Sequence, residues 1–149
     1  MDKNIEKKIL FEIAQLDELM EASRSFLSVC LEREPEFGEK CGVAQILHSF
    51  YNGIEKLLLL IIKNSEIISI DVNRWHSELF IKAFEPRQNS MYIIRPDLKE
   101  TLNEYLKFRH VVRNSYGFSL LWTKMIDMVV NLENTWNMVR FDILDYIDK

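Results

Sequence analysis
The chain has 149 residues, 48% of them hydrophobic, with four glycines, three prolines and a formal charge of −4. That length suits one compact domain, 1–149, able to bury a core without disulfide or metal staples, and the composition favours a helix-rich soluble fold over a sandwich, a barrel or a disordered chain. The negative charge excludes a general attraction to phosphate backbones, so any nucleic-acid contact must come from a local patch.

The first predicted element is a long helix, because Ile5, Ile9, Ile13, Leu16, Met20, Ser23 and Leu27 recur at alternating steps of four and three. It should stop near EREPEFG, where Pro35 disfavours helix at Glu34 and Gly38 offers a flexible exit. A second helix carries Val43, Ile46, Phe50, Ile54, Leu57 and Ile61, and the added leucines at 58–60 widen its apolar face enough to suggest a central place in a bundle. Asn64 and Ser65 end it. The segment IISIDVN, 67–73, resembles a short strand but has no second strand pattern to pair with, and is read as a buried connector.

Asp71 or Asn73 can cap a short helix through RWHSELFIKAF, followed by an irregular loop between Pro86 and Pro96. Asp97 is the expected cap of the next helix, whose apolar side is Leu98, Leu102, Tyr105, Phe108 and Val112, with Gly117 as its C-terminal cap. The last helix shows Leu121, Met125, Met128, Leu132, Trp136, Val139 and Ile143 at three-and-four spacing. The expected architecture is therefore all-α: an antiparallel bundle of four long helices plus one short helix. The longest apolar run, LLLLII at 57–62, is far below the roughly 20 residues of a membrane span, and the N-terminal stretch lacks a signal peptide's continuous apolar segment. A cytoplasmic protein is expected, with Cys30 and Cys41 as reduced packing residues.

One basic patch stands out. No acidic residue occurs between 105 and 126, whereas Lys107, Arg109, Arg113 and Lys124 all lie there. At about 100° per residue, with Leu98 as zero, Arg109 falls near 20°, Arg113 near 60° and Tyr116 near 0°, so they continue the apolar stripe. A guanidinium in such a place needs a carboxylate, a cleft, a ligand or a second chain. One reading pairs Arg109 or Arg113 with an acid such as Glu104 or one on the first helix. The other takes both arginines, with Asn114, Ser115 and Tyr116, as an anion site, since arginine's planar donors match phosphate oxygens.

The stretch FRHVVRNSYGFSL, with 102–107 and the upstream ILHSFYNGIEKLLLLI, resembles the HEPN superfamily and, within it, the HepT-like ribonuclease toxins. That signature is an arginine, four to six intervening residues and a histidine, with a tyrosine two positions later in the toxin branch. RHVVR and YGF match, but Asn114 stands where the histidine belongs. The resemblance implies metal-independent RNA cleavage without a cofactor, the histidine deprotonating a ribose 2′-hydroxyl and Arg109 stabilising the charged phosphorane. The basic patch adds Arg113 and Lys107 as expected RNA phosphate contacts, and the resemblance further implies a homodimer and a nucleotidyltransferase antitoxin that attaches AMP to Tyr116. Asparagine cannot take up a proton near neutrality, and a positioned base is worth about 10²–10⁴-fold in rate, so cleavage is expected to be weak or lost.

Three accounts of Asn114 stay open: a natural non-catalytic variant, a substitution engineered so that a toxic protein could be expressed, or transfer of the base role to His110. Four residues before Asn114, His110 is on the same helical side; its other role is that of a polar surface residue or one that orients Arg109. Arg109 and Asn114 are separated by roughly 140° and about 7.5 Å of rise on a straight helix, which a site shared across a two-fold dimer would reconcile. Elsewhere, His48 reads as a hydrogen-bonded core or interface residue, and Trp75 with His76 as packing against the loop. Three scattered histidines make no zinc pattern, and Asp142, Asp145 and Asp148 read as a solvated acidic end.

Overall fold
The computed structural model describes residues 1–65, 75–86, 92–114 and 121–149, with side chains at all of these except 65, 75–77, 113 and 114. In chain order it contains α1 (Lys3–Glu32), α2 (Phe37–Ser65), the short α3 (Trp75–Ala83), a 3-10 turn (Pro96–Leu98), α4 (Lys99–Asn114) and α5 (Trp122–Asp148). Four long helices and one short one form the expected all-α bundle, and no strand occurs among the described residues. The connector expected at 67–73, the cap at Asp71 or Asn73 and the cap at Gly117 lie outside the described residues.

Helix α1 opens on Asp2, whose carboxylate accepts the Asn4 amide at 2.7 Å and so satisfies one of the amides that a helix start leaves unpaired. Its buried face is Ile9, Ile13, Leu16, Met20, Ser23, Leu27 and Cys30, the face marked by the three-and-four spacing. The helix stops before Pro35, but Gly38 is not its exit: only residues 33–36 separate α1 from α2, and Gly38 already lies in α2. Glu39 closes the corner. Arg33 donates from Nη1 and Nη2 to its two carboxylate oxygens at 2.7 and 2.8 Å, and the Glu36 amide donates to Oε1 at 2.9 Å, half of a capping box. The bond from Arg33, then that from the Glu36 amide, hold the Glu39 carboxyl at about 2, well below its ordinary value.

Helix α2 is central, as its wide apolar face predicts, and packs against α1, α3, α4 and α5. Its contact with α1 is closest at Gly53, where an added Cβ would lie 2.6 Å from Leu16 Cδ2. Both cysteines are free; Cys30 is fully buried and Cys41 packs against the core. On the far side, α5 is tied to α1 through Asp17, which accepts from Trp136 Nε1 at 2.8 Å and from Arg140 Nε at 3.1 Å. Leu121, expected on the buried stripe of α5, is instead its exposed N-cap.

The approach to α4 differs most from expectation. Ile93 and Ile94, read as part of an irregular loop, are fully buried, and the Ile94 amide reaches the Ala83 carbonyl at 3.3 Å. Asp97 does not cap from outside; it sits within the 3-10 turn that begins at Pro96 and leads into α4. Asp142 is not part of a solvated acidic end. It accepts the Arg95 amide at 2.9 Å, Nε at 2.9 Å and Nη2 at 2.8 Å, which fastens the start of α4 to α5. Midway along α4, Tyr105 donates its hydroxyl to the Met128 carbonyl at 2.8 Å and meets Phe50 of α2 edge-on at 5.2 Å between centroids.

Two stability measurements test this packing. Because the folded value of Glu39 lies below its ordinary 4.5, its contribution is present above that pH and is lost as pH falls through about 2. Glu39→Gln should therefore flatten the fall of Tm across that window; an unchanged profile contradicts the Arg33–Glu39 clasp. Gly53→Val should destabilise the chain by about 1–3 kcal/mol in urea titrations, with part of the loss absent when Leu16→Ala has already made room.

Candidate functional site
The buried face of α4 runs through Leu102, Tyr105 and Phe108, and Arg109 continues it, with 11% of its side chain exposed. The stripe geometry read from the sequence is thus realised at Arg109: a cation occupies a position where a helix normally places an apolar group. Opposite it, α2 presents Ala44, Tyr51, Glu55, Leu58 and Ile62 in one row at helical spacing, all buried, with Glu55 the one charged member at 1% exposure. Each helix thus contributes one buried charge, and the two meet.

Arg109 Nη1 lies 3.6 Å from Glu55 Oε1, and Arg109 Nε donates to Asn52 Oδ1 at 3.2 Å. At 3.6 Å the ion pair is longer than a hydrogen bond, and Nη1 forms none. Tyr51, one turn before Glu55, senses both charges: burial first, then the Glu55 carboxylate, push its phenol above the ordinary value, while Arg109 opposes them. Removing one member of a buried carboxylate–guanidinium pair costs more than the pair itself contributes, because the remaining charge loses its counter-charge.

Arg109 therefore pairs with neither Glu104 nor an acid of α1. Glu104 is five residues back on the same helix, about 140° round, and faces outward, 3.9 Å from the exposed Lys107. Such a solvent-exposed pair is weak and leaves Lys107 accessible. His110 is exposed and His48 half-buried, and Asn52 and Glu55 contact Arg109. Arg113 and Asn114 form the end of α4, but their side chains lie outside the described set, as does Tyr116 entirely. Trp75 and His76 fall in the first turn of α3, again without described side chains.

Asn52 and Glu55 are the residues that sequence reading missed. They lie within ILHSFYNGIEKLLLLI, and the available signal was a lone carboxylate in the otherwise apolar row 44, 51, 55, 58, 62. Among the described residues, no group of three or more His, Cys, Asp or Glu is placed to hold a metal ion, and no helix is long and apolar enough to cross a membrane.

Residues 42–149, well over half of the chain, match the family described as HepT-like protein. The chain belongs to the HepT-like family, within the HEPN superfamily. No curated protein and no solved structure matches it. The HepT-like region contains both sides of the Arg109 contact, α4 with its Arg109-to-Asn114 spacing and the part of α2 bearing Asn52 and Glu55, whereas α1 lies outside it.

The pair's interdependence is measurable. Arg109→Ala should destabilise the HepT-like fold by about 3–5 kcal/mol, because the buried Glu55 loses its cationic partner, and Arg109→Met combined with Glu55→Gln should be markedly less damaging than Arg109→Ala. Equal losses in urea denaturation would mean that the two charges do not interact.

Proposed function
We propose that the whole chain, 1–149, acts as one HepT-like domain and is the toxin subunit of a cytoplasmic toxin–antitoxin pair, with single-stranded RNA as its ligand. The observation that carries this reading is Arg109 on the inner face of α4, held by Asn52 and Glu55, at the first position of the spacing that ends in Asn114 and Tyr116. A pre-oriented guanidinium binds a phosphate at less entropic cost than a free one. Arg113 and the exposed Lys107 would add phosphate contacts on the same acid-free stretch.

The chemistry that follows binding is limited by Asn114. It can position a ribose hydroxyl through a hydrogen bond but cannot carry its proton away, so the 2′-oxygen remains a poor nucleophile. Helix α4 continues to Asn114, so Arg109 and Asn114 are set about 140° apart and cannot close on one phosphate from a single copy. A two-fold homodimer that brings two α4 ends together supplies the missing convergence. A nucleotidyltransferase antitoxin that places AMP on Tyr116 would add negative charge beside this site and repel RNA.

A second reading, a non-catalytic helical dimer that binds a nucleotidyltransferase partner, is favoured by the internal pairing of Arg109 with Glu55. Asn114→His separates the two. In the toxin reading it should raise metal-independent RNA cleavage by at least about 10²-fold, with growth arrest on expression, and Arg109→Lys should weaken the gain because lysine cannot supply two parallel donors. Absence of both cleavage and growth arrest in a folded Asn114→His protein would assign the non-catalytic role.

A further inference from the structure
The guanidinium of Arg109 has two donor edges, and α2 engages them unequally. Asn52 takes Nε and Glu55 faces Nη1, while no hydrogen bond from Nη2 occurs among the described residues. The side chain retains a small opening to solvent, at 11% exposure, although Glu55 behind it has almost none. We infer that Glu55 and Asn52 are positioning residues for Arg109, fixing its guanidinium from behind and from one side so that the Nη2 edge is offered to a phosphate oxygen of RNA.

This assignment rests on the RNA-binding reading above, and the physical reason is rotational. An arginine side chain loses much of its rotamer freedom when it grips a ligand, and that cost falls when other groups have already fixed its plane. Glu55 supplies the charge that keeps the guanidinium inward, and Asn52, through a directional hydrogen bond, sets the rotation of its plane. Asn52 and Glu55 are three residues apart and Arg109 comes from another helix, so the aim of Arg109 is a property of the α2–α4 junction. Sequence motifs confined to α4 do not contain it.

The test uses the full chain and a fluorescein-labelled single-stranded RNA oligonucleotide of mixed sequence, with affinity measured across salt concentrations. Arg109→Ala should weaken binding by about 10–100-fold and reduce the slope of log K against log salt by about 0.7, the signature of one lost phosphate contact on a single strand. Glu55→Gln and Asn52→Ala should each move affinity and slope in the same direction, and neither should weaken binding further once Arg109→Ala is present. Val139→Ala, a core truncation on α5, controls for lowered stability: it should depress Tm and leave the slope unchanged. Asn52 is only half-buried, so Asn52→Ala decides the matter if Glu55→Gln fails to fold.

Wild-type slope and affinity in folded Glu55→Gln or Asn52→Ala would overturn the assignment. So would tighter binding by Glu55→Gln, which would make Glu55 a competitor of phosphate. If Arg109→Ala itself binds as tightly as the wild type, the RNA reading fails, a result distinct from failure of the positioning role alone.

Discussion
The junction of α2 and α4 is governed by two opposite charges that water barely reaches. Glu55 has almost no exposed surface and Arg109 little more, and the two lie 3.6 Å apart, so each offsets part of the cost of burying the other. That pairing fixes the register of α4 along α2 more strictly than apolar packing does, since greasy surfaces can slide by a turn at modest cost and an ion pair cannot. Two further constraints act in the same direction: Arg95 with Asp142 at the entrance of α4, and Tyr105 with the Met128 carbonyl at its middle. Arg109 thus sits on a helix held at three heights, a rigid base for any contact made beyond it.

A residue that is structurally indispensable and also binds ligand creates a specific ambiguity in mutagenesis. Removing Arg109 combines the stability cost of a Glu55 deprived of its cation with any loss of phosphate affinity, and activity alone cannot separate them. Salt dependence can, because it counts neutralised phosphates and is insensitive to how much of the protein is folded, provided the folded fraction is measured. The same reasoning gives Asn52 its value. It touches Arg109 without sharing the buried charge, so it can perturb orientation while leaving the electrostatic balance of the junction intact.

The fold was legible because it depends on periodicity, and the first, second, fourth and fifth helices carry long, regular stripes. Elements that end on local chemistry were less so. Gly38 and Asp97 are good breakers and caps in isolation, but Glu39 closed the first corner and a proline-led 3-10 turn opened α4. Asp142 looked solvated because its partner, Arg95, is 47 residues away in sequence. At the candidate site, the inward placement of Arg109 followed from its angle on the helix, but its partner did not. Glu104 was near in sequence yet on the wrong face, whereas Glu55 was visible only as an odd carboxylate in an apolar row of a different helix.

Asn114 and the Arg109 junction bear on function in different ways. The Glu55–Arg109 pair serves the packing of α2 against α4, and its presence is therefore compatible with both a toxin and a silent binding module. The histidine position has no such protection: it is the last residue of α4, where asparagine is well suited to a helix end and costs the bundle little. In the proposed toxin reading, a proton acceptor at position 114 can be absent while Arg109 stays in place, because one is a terminal side chain and the other is part of the core. In that reading chemistry is separable from binding, which is why restoring a single imidazole tests it.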